Sequence, residues 1–84
     1  IHMEEYEIDA SAAFTLNQAR AEGRRVIAIG TTSVRVLEQA SQDMAARGLD
    51  SFSAVQGEAA IYILPGYNFQ TVDALITNFH RWRP

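Results

Sequence analysis

Arg24 to Ala40 reads RRVIAIGTTSVRVLEQA, an aliphatic burst that ends in a glycine, three hydroxyl residues, a valine and an arginine before an amphipathic run takes over. Arg25 to Ile29 is rich in branched aliphatics and predicts a compact strand. From Thr32 to Arg47, Val34, Leu37, Ser41, Met44 and Ala45 recur on one stripe at helical spacing, and Gly48 stands where a left-handed residue ends a helix. A strand that turns at once into a long helix is the unit of an α/β layer, because such a crossover returns the chain to a parallel neighbour.

The flanking sequence fits that layer. Met3 to Ile8, MEEYEI, alternates and predicts a half-exposed or edge strand. Asp9 or Ser11 can cap a helix through Glu22, in which Ala12, Ala13, Leu16, Ala19 and Gly23 recur at spacings of three and four. Leu49 to Glu58 is polar and predicts irregular chain. Ala59 to Leu64, AAIYIL, predicts a strand stopped by Pro65-Gly66, and Val72 to Phe79, VDALITNF, a last strand. The expected fold is α/β, a small open parallel or mixed sheet with two main helices, and residues 1–84 form one partial domain. VIAI and IYIL suit interior strands covered on both faces, yet two helices are too few to cover them. One face or edge is expected to want a partner, and a homodimer is the expected closed solution.

Composition narrows the function classes. A chain of 84 residues buries only about 60 to 65% of its unfolded surface. Its seven arginines, no lysine and net charge of −3 do not make a self-sufficient nucleic-acid binder, so most of the basic surface for any RNA partner is expected elsewhere. Without cysteine there is no disulfide or thiolate chemistry. No apolar run approaches the about 18 residues of a membrane span, and Ile1 to Asp9 has no secretory pattern, so a cytoplasmic setting is expected.

The Gly30 corner is the leading candidate site. In an open α/β sheet, ligands sit beyond the carboxyl ends of strands, where the next helix points its unpaired N–H groups and positive dipole end outward. Gly30 permits close backbone approach, Thr31, Thr32 and Ser33 can hold a carboxylate, phosphate or ribose hydroxyl, and Arg35 adds a bidentate anion donor. The alternative is a threonine that only caps the helix and an arginine that is only solvated. The spacing is neither that of a Walker loop nor that of a dinucleotide fingerprint.

Pro65-Gly66-Tyr67 reads as an ordinary turn or as a pocket wall. Asn78 and His80 lie near a strand terminus, where His80 is a candidate general base or a structural residue. Glu4, Glu5 and Glu7 read as a solvated strand face. Trp82 between Arg81 and Arg83 reads as a base-stacking residue or a frayed tail.

The strings VIAIGTTSVRVLE, PGYNF and VDALITNFH, with His2, Glu4 and Tyr6 in an H-x-E-x-Y lead-in, resemble the C-terminal portion of the S-adenosylmethionine:tRNA ribosyltransferase-isomerase family of queuosine biosynthesis. The resemblance runs from about His2 to His80. Members are several times longer and carry a β-barrel beside the α/β domain, so it implies a fragment of a larger enzyme, with residues 81–84 a divergent tail. Phe14 stands where the family usually has a polar residue.

What the resemblance implies is S-adenosylmethionine used as a ribosyl donor. The amine of 7-aminomethyl-7-deazaguanine in tRNA receives the ribosyl unit, which isomerises to an epoxy-cyclopentane and gives epoxyqueuosine. By the same resemblance, Gly30, Thr31, Thr32, Ser33 and Arg35 bind the donor, Tyr67 and Asn78 line the adjacent crevice, and His80 moves the proton, with no metal or cofactor. The chain alone is expected to be inactive, with weak or absent tRNA affinity. The competing reading is a non-catalytic ligand-binding or self-associating remnant.

Overall fold

The computed structural model describes residues 4–77. Strand β1 (Glu4–Ile8) is followed by helix α1 (Ala10–Ala21), strand β2 (Ile27–Ile29), helix α2 (Thr31–Ala46), strand β3 (Val55–Ala59) and strand β4 (Ala74–Ile76). In β1, Tyr6 and Ile8 are buried while Glu5 and Glu7 are exposed, the period-two alternation of a strand with one wet face. Asp9 then stops the strand and starts α1, its Oδ1 accepting from Ala12 N at 2.8 Å.

Helix α2 is the centre of the molecule. One flank, with Val36, Ala40 and Met44, packs into a core of Tyr6, Ile8, Ala13, Phe52 and Ala59. The other, with Val34 and Leu37, packs on Ala28 and Val72. A helix apolar on two sides must be covered twice, so the strands divide between them instead of forming one open sheet. β1 and β3 pair antiparallel, from Glu4 opposite Ala59 to Ile8 opposite Val55. β2 and β4 pair parallel, from Ile27 opposite Ala74 to Ile29 opposite Ile76. The α/β class and both main helices stand as expected, whereas among the described residues the single sheet becomes two two-stranded sheets.

AAIYIL is not a strand. The ladder ends at Ala59, and Tyr62 and Leu64 are exposed. The cause is α2, whose side chains take the backbone groups another strand would have used. Gln39 Oε1 accepts from Ala60 N at 3.0 Å, while Arg35 donates to Ala59 O at 3.2 Å and to Ile61 O at 3.1 Å. Conversely, the polar stretch from Leu49 to Glu58 holds β3 and a buried core residue, Phe52. Asn17 makes that possible. Its amide donates to Phe52 O and accepts from Phe52 N, both at 2.8 Å, so an α1 side chain supplies the paired hydrogen bonds of a missing strand.

Tyr6 crosses from β1 toward α2 and donates its hydroxyl to Asp43 Oδ2 at 2.9 Å. Burial pushes its phenol up to about 12, with the Asp43 hydrogen bond and charge adding to the effect and Arg47 opposing it. The folded state therefore holds a proton that the unfolded chain releases from about pH 10 upward. The associated stability is fully present below pH 10 and falls through pH 12, by a total on the order of 2 kcal/mol. Urea denaturation across that range checks it. Tyr6→Phe should flatten the decline, and an unchanged slope in Tyr6→Phe would contradict the assignment.

Candidate functional site

The carboxyl end of β2 and the amino end of α2 form the expected corner. Gly30 has φ 93° and ψ 152°, a backbone state that a residue with a Cβ rarely adopts, and its N–H donates to Ile76 O at 2.7 Å. That bond ties the corner to β4. An open hollow follows, lined by Ile29, Gly30, Thr31, Thr32, Ile76 and Thr77.

Helix α2 begins without a side-chain cap. Gly30 is the N-cap, Thr31, Thr32 and Ser33 are exposed, and the first helical bond is a long one, from Val34 N to Gly30 O at 3.4 Å. The threonine-cap reading thus has no hydrogen bond behind it, and the first-turn N–H groups are left to water or a ligand. Thr32→Ala is expected to change stability by less than about 0.5 kcal/mol, as a surface substitution does. A loss near 1 kcal/mol in urea denaturation would restore the cap.

Arg35 serves a different place. Its guanidinium pairs with Glu4 Oε1 at 2.7 Å and donates to the carbonyls of Ala59 and Ile61, which fastens α2 to β1 and to the chain leaving β3. It is absent from the lining of the hollow, and so is Ser33, although Ser33 shares the same helical turn.

Tyr67 lies about two turns further along α2. Its hydroxyl donates to Glu38 Oε1 at 3.2 Å and accepts from Gln42 Nε2 at 3.0 Å, and its ring meets Phe69 edge-on with centroids 5.1 Å apart. Burial raises its phenol above the ordinary value. The Gln42 hydrogen bond opposes that rise and the Glu38 carboxylate reinforces it, so the hydroxyl stays a donor at neutral pH. Asn78 and His80 lie outside the described residues, as do His2 and the 81–84 tail. Of the expected site residues, the structure brings Gly30, Thr31 and Thr32 together with Thr77, and sets Arg35 on the next turn of α2 and Tyr67 in the β3–β4 connection, against Glu38 and Gln42.

The residue that sequence reading missed is Glu38. It is fully buried, and its carboxylate accepts from Gln70 N at 2.7 Å, Thr71 N at 2.9 Å and Val72 N at 2.8 Å, besides the Tyr67 hydroxyl. Ser41 adds a hydroxyl contact to Thr71 from the next turn. One acidic side chain thus holds the segment that leads into β4, and through β4 the Ile76 and Thr77 side of the hollow. The signal was its position, four residues after Val34 and three before Ser41, an ionisable group on the inward stripe.

Among the described residues, no group of three or more histidine, cysteine, aspartate or glutamate side chains is placed to hold a metal ion, and no helix is long and apolar enough to cross a membrane.

The model of a family described as queuosine biosynthesis protein matches residues 1–83. The S-adenosylmethionine:tRNA ribosyltransferase-isomerase of Geobacter sulfurreducens is 54% identical over 80 residues, and that of Aromatoleum aromaticum 51% identical over 80 residues. Each alignment covers 95% of this chain but 22% and 21% of the relative, so the chain spans about a fifth of their length. The crystal structure of an S-adenosylmethionine tRNA ribosyltransferase from Thermotoga maritima superposes with a TM-score of 0.73 at 36% identity, over 90% of this chain and 25% of that one. With a family match across nearly all of its residues, the chain belongs to the queuosine biosynthesis protein family.

Proposed function

We propose that the chain forms part of a tRNA-modifying enzyme that transfers and isomerises the ribosyl unit of S-adenosylmethionine onto a tRNA base, in the cytoplasm. The carrying observation is the 54% identity, over 80 residues, to a relative named for that activity. The geometry supports the reading at one point. Gly30, Thr31 and Thr32 present uncapped N–H groups and hydroxyls at the carboxyl end of β2, the place and chemistry suited to a carboxylate or ribose hydroxyls of the donor. Tyr67, kept protonated, is a hydrogen-bond donor and not a base. In this reading Asn78 adjoins the donor and His80 is the proton-transfer group, while Arg35 acts by holding α2 against β1.

The test is a full-length protein carrying this segment, incubated with donor labelled in its ribose and with tRNA that carries 7-aminomethyl-7-deazaguanine. Label is expected in tRNA, with release of adenine and methionine. Transfer of the methyl group, or no transfer, would overturn the reading. The 84-residue chain by itself is expected to show no turnover and, at net charge −3, no submicromolar tRNA binding at physiological salt.

A further inference from the structure

Strand β4 reads Ala74, Leu75 and Ile76, apolar at every position, so no alternation of polar and apolar residues decides its register against β2. With three residues on each side, the pair is also too short to hold that register firmly by itself. Glu38 ties Gln70, Thr71 and Val72 to α2, not to β2. What meets β2 is the next residue. Asp73 N donates to Val26 O at 2.8 Å and Asp73 Oδ2 accepts from Val26 N at 2.7 Å, so one residue closes on both backbone groups of a buried partner. Asp73 is the only acidic residue between Gln70 and Thr77, so this two-point clasp can be made in one register only.

We propose that Asp73 is a positioning residue for the donor site, its clasp on Val26 setting where β4 ends and so where Thr77 stands against Gly30, Thr31 and Thr32; this rests on the function proposed above. From the clasp the pair runs through Ile27 opposite Ala74 to Ile29 opposite Ile76, and it closes with Gly30 N donating to Ile76 O at 2.7 Å. That last bond joins the two walls of the hollow, the β2–α2 corner and the end of β4. A slip of one residue would move β4 by about 3.3 Å along β2, take Ile76 O away from Gly30 N and carry Thr77 with it. Misplacement of about 1 Å at a reacting site is enough to cost on the order of a hundredfold in rate. Val26 stands four residues before Gly30, about 13 Å by strand rise, so Asp73 acts on the donor through β4 and does not touch it.

Asp73→Ala and Asp73→Asn in a full-length protein carrying this segment test the proposal, by hydrogen exchange and by steady-state ribosyl transfer to tRNA that carries 7-aminomethyl-7-deazaguanine. In the alanine variant the Gly30 amide is expected to exchange about tenfold or more faster while the amides of the β1–β3 ladder keep their rates. The KM for S-adenosylmethionine is expected to rise about tenfold, with the KM for tRNA unchanged. Asparagine keeps an acceptor oxygen for Val26 N and is expected to restore both. Loss of β1–β3 protection in step with Gly30 would make Asp73 a support of the whole fold and overturn the proposal. So would a Gly30 amide or a donor KM that matches the parent's, and so would an asparagine variant as impaired as the alanine one. Failure of the proposed function shows separately, as an unsubstituted protein that transfers no ribosyl unit, and the exchange of Gly30 then decides alone whether Asp73 sets the corner.

Discussion

Glu38→Ala is expected to cost the chain about 3 to 5 kcal/mol, the largest effect of any single substitution considered. The cost comes from what is left behind. Three consecutive backbone N–H groups, of Gln70, Thr71 and Val72, would lose their only described acceptor at a site where Thr71 and Val72 are buried. A buried donor left unpaired costs about 1 to 3 kcal/mol, and the Tyr67 hydroxyl loses its acceptor as well. Against a total stability of about 4 to 12 kcal/mol for a chain of this size, that is enough to leave a substantial unfolded population. Glu38→Gln separates the contributions. Its single oxygen can still serve Thr71 and Val72 on the Oε2 side, while its NH₂ would face the donors of Gln70 and Tyr67, so about half of the loss is expected. Urea denaturation of the two variants measures both, and an alanine variant within 1 kcal/mol of the parent would show that water replaces the carboxylate at no cost.

Gly57→Ala is expected to cost about 2 to 4 kcal/mol, although Gly57 lies in a regular strand. The Tyr6 ring of the paired strand lies flat over it. A Cβ built at Gly57 would stand 2.8 Å from Tyr6 Cζ, 2.8 Å from Oη and 2.9 Å from Cε2. The ring must then tilt, and tilting it breaks the hydroxyl bond to Asp43 that carries β1 onto α2. The glycine and the aromatic form one device, in which the ring covers backbone that would otherwise be bare. A double-mutant cycle with Tyr6→Leu tests this, since removing the ring should make Gly57→Ala nearly neutral. Equal costs in both backgrounds would place the strain elsewhere.

Where local pattern and packing agreed, the elements could be read from the sequence. β1 alternates, α1 begins at Asp9, and α2 keeps its stripe for sixteen residues, so each was placed within two residues. The failures have one physical source, which is side chains standing in for strands. AAIYIL has the composition of a buried strand, but Gln39 and Arg35 reach the backbone of Ala60 and Ile61 first. The segment around Phe52 looks irregular by composition, yet Asn17 supplies its partner. Neither substitution leaves a periodic trace, because each depends on one residue from a distant helix. The candidate site divided in the same way. Gly30 to Thr32 could be read because a strand-to-helix corner fixes its own geometry, whereas the direction taken by Arg35 depended on where β1 came to rest, and Glu38 was hidden by the assumption that an acidic residue points outward.

The claim on which the functional account rests is that the donor sits at the Gly30 corner. Hydrogen exchange of the full-length Geobacter sulfurreducens relative, with and without S-adenosylmethionine, tests it most directly, because the first-turn amides of α2 have no intrahelical acceptor to protect them in the free protein. Binding is predicted to slow exchange in the peptides matching Ala28–Val34 and Ala74–Thr77 and to leave those matching α1 unchanged. Protection confined to other parts of the protein, with the Gly30–Ser33 amides exchanging at the same rate in both states, would contradict the account.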